Sequence, residues 1–230
     1  MELEAQKEEL IRKYKKWGPL KVLRSEAVEN AFRALKRELF MPRGLERRAY
    51  TNRAYFLAEG STISAPYMHV ILAEALNLQE GQKILEIGAG SGYQAALCAL
   101  IVAPKDEIGS GHVFTIETLP KIAEFARENI KKAGLQDRVT VICGDGSMGL
   151  PEEAPLDRIL VTAYAKKVPP SLIQQLAVGG QLVMPVGRFR RFQSLVRYTK
   201  VNETKIKKKT LRRYSVYFVR LVGEEGWTQK

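Results

Sequence analysis

At 230 residues, 45% of them hydrophobic and 27% charged, the chain has the length for one α/β domain with a sizeable core. It contains no stretch of ~18 apolar residues, which argues against a membrane-spanning helix, and its charged N-terminal run has no apolar signal region, so a cytoplasmic location is expected. The net charge of +12 is concentrated late: residues 188–213 hold eleven Lys/Arg against one acid, Glu203, and so account for +10 of it. This basic segment reads either as a lysine-rich hairpin at a sheet edge, where charge discourages aggregation, or as a patch for acidic partners, nucleic acid included.

Glu2 to Lys16 is a charged, helix-favouring run that stops at Trp17-Gly18-Pro19. A second helix opens after Ser25, a suitable N-cap, with Val28, Ala31, Phe32, Leu35 and Leu39 as its apolar stripe, and ends at Met41-Pro42. Residues 43–57 lack periodicity and read as loop. Ser61-Thr62-Ile63-Ser64-Ala65-Pro66 then places three hydroxyls within four residues ahead of a proline suited to the first helical position. The helix that follows, to about Asn77, buries Met68, Ile71, Leu72, Ala75 and Leu76, and its hydroxyl-rich start favours anions.

From Lys83 onward, strands and helices alternate. Strands are expected over 83–87, 113–117, 139–143, 158–162 and 181–186, with helices over 94–102, 120–132 and 169–177. Such alternation implies a doubly wound, mostly parallel sheet covered on both faces. Residues 193–199 and 214–222 read as antiparallel edge strands with the basic segment between them. Cys98 and Cys143 lie in core-like segments without metal-site spacing, so they are expected to be buried, reduced thiols, and no metal is expected. The chain divides as one domain with an N-terminal extension (1–78), a core (79–187) and C-terminal edge strands (188–230).

The chemistry centres on Glu86-Ile87-Gly88-Ala89-Gly90-Ser91-Gly92, where a short apolar run ends in three alternate glycines and a helix follows. No Lys followed by Ser/Thr comes after the glycines, which excludes a phosphate-binding P-loop, and the third glycine is one residue early for a dinucleotide fingerprint. Glu86, inside the strand, suits a ligand bearing a cation and a carboxylate, as S-adenosylmethionine does. Glu117 ends the next strand, where an acid can accept both hydroxyls of a ribose, and Asp145 ends the third within reach of an adenine amino group. These acids fall at consecutive strand C-termini, the edge where open α/β sheets bind ligands.

Residues 24–187 resemble class I S-adenosylmethionine-dependent methyltransferases of the Rossmann-like type, and within them the protein-L-isoaspartate O-methyltransferase family. The resemblance is carried by Arg24-Ser25-Glu26, Thr62-Ile63-Ser64-Ala65-Pro66-Tyr67-Met68, Leu85 to Tyr93, Thr115-Ile116-Glu117 and Gly144-Asp145-Gly146. It continues through Ala154-Pro155-Leu156-Asp157, Val161-Thr162-Ala163, Gln175-Leu176, Gly179-Gly180 and Pro185-Val186-Gly187. It implies methylation of the free carboxylate of L-isoaspartyl residues in damaged proteins, with D-aspartyl sites a further substrate class. The ester then closes to a succinimide that reopens partly to aspartate, and S-adenosylhomocysteine is the other product. It implies Ser64 as the active serine, with Thr62, Thr162 and Ala163 beside the substrate, and Glu86, Gly88, Gly90, Gly92, Glu117, Asp145 and Gly146 around the cofactor.

A carboxylate, with a pKa of about 4, is already ionised at neutral pH, so the reaction needs alignment and exclusion of water rather than a general base. Accordingly His69, read as a helix-surface or packing residue, and His112, read as a loop residue, are given no catalytic part. Relative to the family pattern, Tyr67, Tyr164, Lys166-Lys167 and Arg220 stand where His, small residues, a neutral or acidic surface and Pro are expected. These departures bear on peptide selectivity, not on the cofactor. The alternative is an RNA methyltransferase on the same cofactor fold, suggested by the basic segment. Against it, Thr162-Ala163-Tyr164-Ala165 replaces the Asn/Asp-Pro-Pro-aromatic turn of base methylation.

Overall fold

Short apolar runs form the centre of the molecule because they can be covered on both faces only within a sheet. In the computed structural model, which describes residues 2–16, 21–104, 111–189 and 192–228, β3 (Lys83–Ile87) buries four of its five residues, whereas β5 (Val139–Cys143), at one edge, buries one. Between them lies β4 (His112–Glu117). Across the other flank of β3 come β6 (Leu156–Val161), β7 (Leu176–Phe189), β8 (Phe192–Lys200) and β9 (Ile206–Val216), giving the order β5-β4-β3-β6-β7-β8-β9. β5 through β7 pair in parallel, and β7, β8 and β9 pair antiparallel. This is the doubly wound, mostly parallel sheet with antiparallel C-terminal strands expected from the alternation.

The helices are α1 (Glu2–Lys16), α2 (Glu26–Ala34), α3 (Pro66–Leu76), α4 (Tyr93–Val102), α5 (Pro120–Lys132) and α6 (Pro170–Gln174). α3 and α4 are apolar nearly all round and are buried accordingly. α5 is amphipathic and stops at Gly134, whose φ of 69° is the left-handed conformation of a C-terminal cap. A small hairpin, β1 (Tyr55–Phe56) with β2 (Thr62–Ile63), leads into α3.

Several boundaries differ from expectation. α2 ends at Ala34, because Leu35 and Lys36 turn extended and the chain re-enters as a 3-10 turn, Arg37–Phe40, that carries Arg37 into the core. Ser25 precedes α2 but makes no side-chain cap; its hydroxyl and backbone N–H, with the N–H of Arg24, donate to Glu74 of α3. α6 is shorter than the 169–177 helix because Leu176 pairs with Leu156 on β6, so sheet pairing takes the residues that helical periodicity claimed. The basic segment is largely strand rather than connection: Asn202 accepts from the N–H groups of Thr204 and Lys205 in a tight turn, and β9 starts at Ile206. Lys207, Lys208 and Lys209 lie exposed along this edge strand, where neither face need be apolar. Cys98 is buried, but Cys143 is exposed, because the sheet edge leaves the end of β5 uncovered. The expected stop at Trp17-Gly18-Pro19 lies outside the described residues.

Candidate active site

The order of the sheet reverses at β3: the chain first builds outward through β4 and β5, then returns to the other side with β6. A crevice opens at the C-terminal strand ends beside such a reversal. The glycine turn fills its floor. Gly88, Gly90 and Gly92 have φ values of 96°, 53° and 83°, and a Cβ at Gly88 would collide with the Thr162 hydroxyl oxygen. Both the backbone conformation and the close approach therefore demand glycine there. The Thr162 hydroxyl lies 2.8 Å from the Gly88 carbonyl and 3.0 Å from that of Ile87; its single proton is committed to the turn.

Three acids were expected around this turn, and each is held differently. Glu86 is buried on β3, where one carboxylate oxygen accepts from Thr115 at 2.6 Å and the other, Oε1, has no partner. Burial pushes its carboxyl up to about 8, opposed by the Thr115 hydrogen bond and reinforced by the charge of Glu117. Glu86 is thus a buried acid of the cavity lining whose charged form is disfavoured in the absence of a nearby cation. Glu117 accepts from the Gly90 N–H at 3.0 Å and from the Leu119 N–H at 3.2 Å, which ties the end of β4 to the turn. Asp145 is exposed and faces elsewhere: its oxygens accept from the N–H groups of Ser147 and Glu224, each at 2.8 Å. Desolvation raises its pKa, and the donors from Glu224 and Ser147 outweigh that and lower it overall. Asp145 thus clamps the C-terminal segment, where a Cβ at Gly223 would strike its carboxylate.

A cavity of about 990 Å³ lies over the turn. Glu86, Gly88, Gly90, Glu117 and Gly146 line it, as do Thr62, Ser64, Thr162 and Ala163; Gly92 and Asp145 do not. Gly92 instead caps α4. The serine loop forms the opposite wall, close enough that a Cβ on Gly90 would stand 3.5 Å from the Thr62 carbonyl oxygen. Ala65 is the helix cap, without a side-chain bond, so the three hydroxyls of the loop do not cap α3. The Ser64 hydroxyl makes no hydrogen bond to another described residue.

Behind Ser64 is a residue that sequence reasoning missed. Arg37 is fully buried; its NH2 donates to the Ser64 carbonyl at 2.6 Å and its Nε to the Ala49 carbonyl at 2.8 Å, while NH1 has no partner. Its guanidinium stands 5.0 Å from the centre of the Tyr93 ring. Burial lowers its pKa to about 10, which leaves it charged at neutral pH. Within Lys36-Arg37-Glu38 nothing local separates this cation from a surface charge; only the break in α2 turns it inward. His69, also on the cavity wall, was read as a surface or packing residue and is buried, with Nδ1 2.8 Å from Gln94 Oε1. Burial and the Arg37 charge lower its pKa to about 3, so it stays neutral. His112 is the first residue of β4 and bonds Thr140 rather than lying in a loop.

Comparisons with known proteins agree on one family. Residues 5–226 match the family described as protein-L-isoaspartate(D-aspartate) O-methyltransferase. The chain is 48% identical to the protein-L-isoaspartate O-methyltransferase of Hyperthermus butylicus over 209 residues, 90% of this chain and 86% of that one. It is 45% identical to that of Staphylothermus marinus, covering 90% of each. Among solved structures, a Plasmodium falciparum protein of this kind in complex with S-adenosyl-L-homocysteine superposes with a TM-score of 0.78 at 26% identity, covering 95% and 97% of the two chains. With a fold, a glycine turn and a serine loop that all agree, the chain belongs to the protein-L-isoaspartate(D-aspartate) O-methyltransferase family.

Proposed function

We propose that the cavity methylates the free carboxylate of L-isoaspartyl residues in proteins, D-aspartyl sites included, using S-adenosylmethionine. Family membership across residues 5–226 supports the activity. The observation that carries the site assignment is the meeting of the serine loop with the glycine turn, Thr62 over Gly90, in one cavity. Glu86, an acid in the cavity lining beside the main chain of Gly88 and Gly90, fits a cofactor that brings a cation close to backbone. Glu86, Gly88, Gly90, Glu117 and Gly146 would hold it; Gly92 and Asp145 support the walls, through the start of α4 and the C-terminal segment.

The bound cofactor supplies a methyl group on a sulfonium centre, ready for transfer to an ionised oxygen. The Ser64 hydroxyl, which makes no hydrogen bond to another described residue, would donate to one oxygen of the substrate carboxylate and leave the other free to react. Arg37 holds the Ser64 carbonyl and places an uncompensated positive charge behind that oxygen pair. Because Arg37 is itself buried, its charge is screened less than a surface charge and favours an anionic substrate. Thr162 keeps the glycine turn in place, and Ala163 beside it offers backbone to the peptide. No proton need be removed, in keeping with the neutral, buried His69. Proteins that have aged to isoaspartate are the partners. Among the described residues no helix is long and apolar enough to cross a membrane.

The test uses methyl-labelled cofactor and paired peptides that differ only in Asp against isoAsp. Label entering the isoAsp peptide alone, as a base-labile ester, is the expected result. Stable label in RNA with no peptide ester overturns it.

A further inference from the structure

Three of the residues that depart from the family pattern come together. Tyr164, Lys166 and Arg220, separate in sequence, line a second hollow of about 540 Å³ with Arg188, Phe189 and Trp227. No acid lines it. Lys166 Nζ stands 4.5 Å and the Arg220 guanidinium carbon 4.9 Å from the centre of the same Trp227 ring, so these two charges lie within about 10 Å of one another, a separation comparable to the Debye length at 0.1 M salt. Among the described residues, none of Lys166, Arg188 and Arg220 forms an ion pair. The indole face offsets part of their mutual repulsion, and a carboxylate would offset more.

The ring that gathers them is itself fixed. Trp227 is half-buried; its indole N–H donates to the Tyr164 carbonyl at 3.1 Å and its backbone N–H to the Leu221 carbonyl at 2.7 Å. Tyr164 is buried, packs edge-on against it and bonds backbone to backbone with Val219 and Leu221. Lys166 and Arg220 therefore extend from backbone that is held on both sides.

The hollow adjoins the substrate side of the main cavity. Arg220 lines both, and the segment Ala163-Tyr164-Ala165-Lys166 runs directly from one to the other, between Val219–Leu221 and Pro185–Gly187. Three residues of extended chain span about 10 Å. We propose that Lys166, Arg188 and Arg220 around Trp227 form a subsite for an acidic side chain of the substrate polypeptide, two or three residues from the isoaspartyl that is methylated. This inference rests on the isoaspartyl activity. It adds a preference that the cofactor site and Ser64 cannot express, because both address only the reacting residue.

The experiment uses the full chain and isoAsp peptides carrying Glu or Gln at each position up to three residues on either side, and reads the Glu/Gln ratio of kcat/KM. At low salt the parent favours Glu by about three- to tenfold at one or two positions, mainly through KM, and the ratio shrinks towards one as salt screens the cations. Lys166→Glu and Arg188→Glu each lower that ratio, and together they bring it below one. A structural defect would lower kcat/KM for both peptides and leave the ratio intact, which overturns the proposal. So does a parent ratio of one at every position, a result that needs no variant to fold. Weakened RNA binding by Lys166→Glu with an unchanged peptide ratio assigns the hollow to nucleic acid and also overturns it. If the Gln peptide is methylated but no position favours Glu, only the subsite falls; if the isoAsp peptides accept no methyl at all, the isoaspartyl activity falls with it.

Discussion

The acidic wall of the main cavity and the buried charge behind its serine wall are placed by different routes. On the glycine-turn side, Glu86 and Glu117 come from adjacent parallel strands, so their placement follows directly from strand register: Glu86 pairs with Thr115, two residues before Glu117. Behind the serine side, outside the cavity lining, lies Arg37, which comes from a 3-10 turn nearly thirty residues before Ser64 and reaches the Ser64 carbonyl only through packing. On the proposed activity, the acidic wall would face a cationic cofactor and the buried Arg37 would stand behind a carboxylate substrate. The acidic wall is also adjustable, because Glu86 can gain or lose its proton, whereas Arg37 remains charged throughout the neutral range.

The sharpest way to break this contrast is to remove the group between the walls. Ser64→Ala is expected to lower kcat by about 100-fold, the scale of a lost alignment, with cofactor affinity little changed. Equal kcat in variant and parent would take Ser64 out of the reaction. Next in size is the buried charge behind the serine loop. Arg37→Leu leaves the carbonyls of Ala49 and Ser64 without their donor, at a cost of about 1–3 kcal/mol each, and removes the charge behind the serine loop. Activity on isoAsp peptide is expected to fall about tenfold or more at a temperature where circular dichroism still reports folded protein. Arg37→Lys, which keeps charge but not the paired donors, should recover part of KM and little of kcat. A variant that loses stability without losing activity per folded molecule would reduce Arg37 to a packing residue.

The smallest effect is the most diagnostic of the acidic wall. Glu86 has a folded-state pKa of about 8 against an ordinary 4.5, so between these pH values the native state binds more protons than the unfolded one. Its contribution to the stability of the cofactor-free protein therefore decreases as pH rises from 4.5 through 8. Glu86→Gln should flatten that slope and make the free protein more stable than its parent at pH 9. A cofactor cation that ionises Glu86 should bind the parent more tightly as pH rises towards 8, by at most about tenfold per pH unit, and should bind the Gln variant without that dependence. Calorimetric titration at several pH values reads both; parallel slopes in parent and variant would separate Glu86 from the bound cation. His69 has the opposite sign: with a native pKa of about 3 against 6.5, it withdraws stability only as pH falls below 6.5, so the two groups can be told apart in one pH series.

Much of this could be read in the chain alone, and the limit is physical. Alternating apolar runs, the helix stop at Gly134 and the three glycines are local signals, each set by residues that are neighbours in sequence, and they specified the doubly wound sheet and its ligand edge. The positive φ values at Gly88, Gly90 and Gly92 agree with that reading. Ser64, Thr162 and Ala163 came from resemblance to a family, and the fold brings them to one cavity. What the sequence could not determine is everything that depends on contacts between distant segments. Thr162 spends its hydroxyl on a carbonyl 74 residues away, and Asp145 spends a carboxylate oxygen on an N–H 79 residues away, because whichever partner packing brings closest takes the hydrogen bond. Helical periodicity in 169–177 gave way to the pairing of Leu176 with Leu156, and the stripe of α2 gave way to a turn that buries Arg37. Lys166, Arg188 and Arg220 were no more than scattered cations until tertiary structure gathered them around one hollow, two of them against one indole. The sequence by itself determined the fold class and the ligand edge, which rest on local pattern; the sorting of charge along the cleft was decided by tertiary structure, because burial and long-range contact alone determine which ionisable groups lose water and which partners they meet.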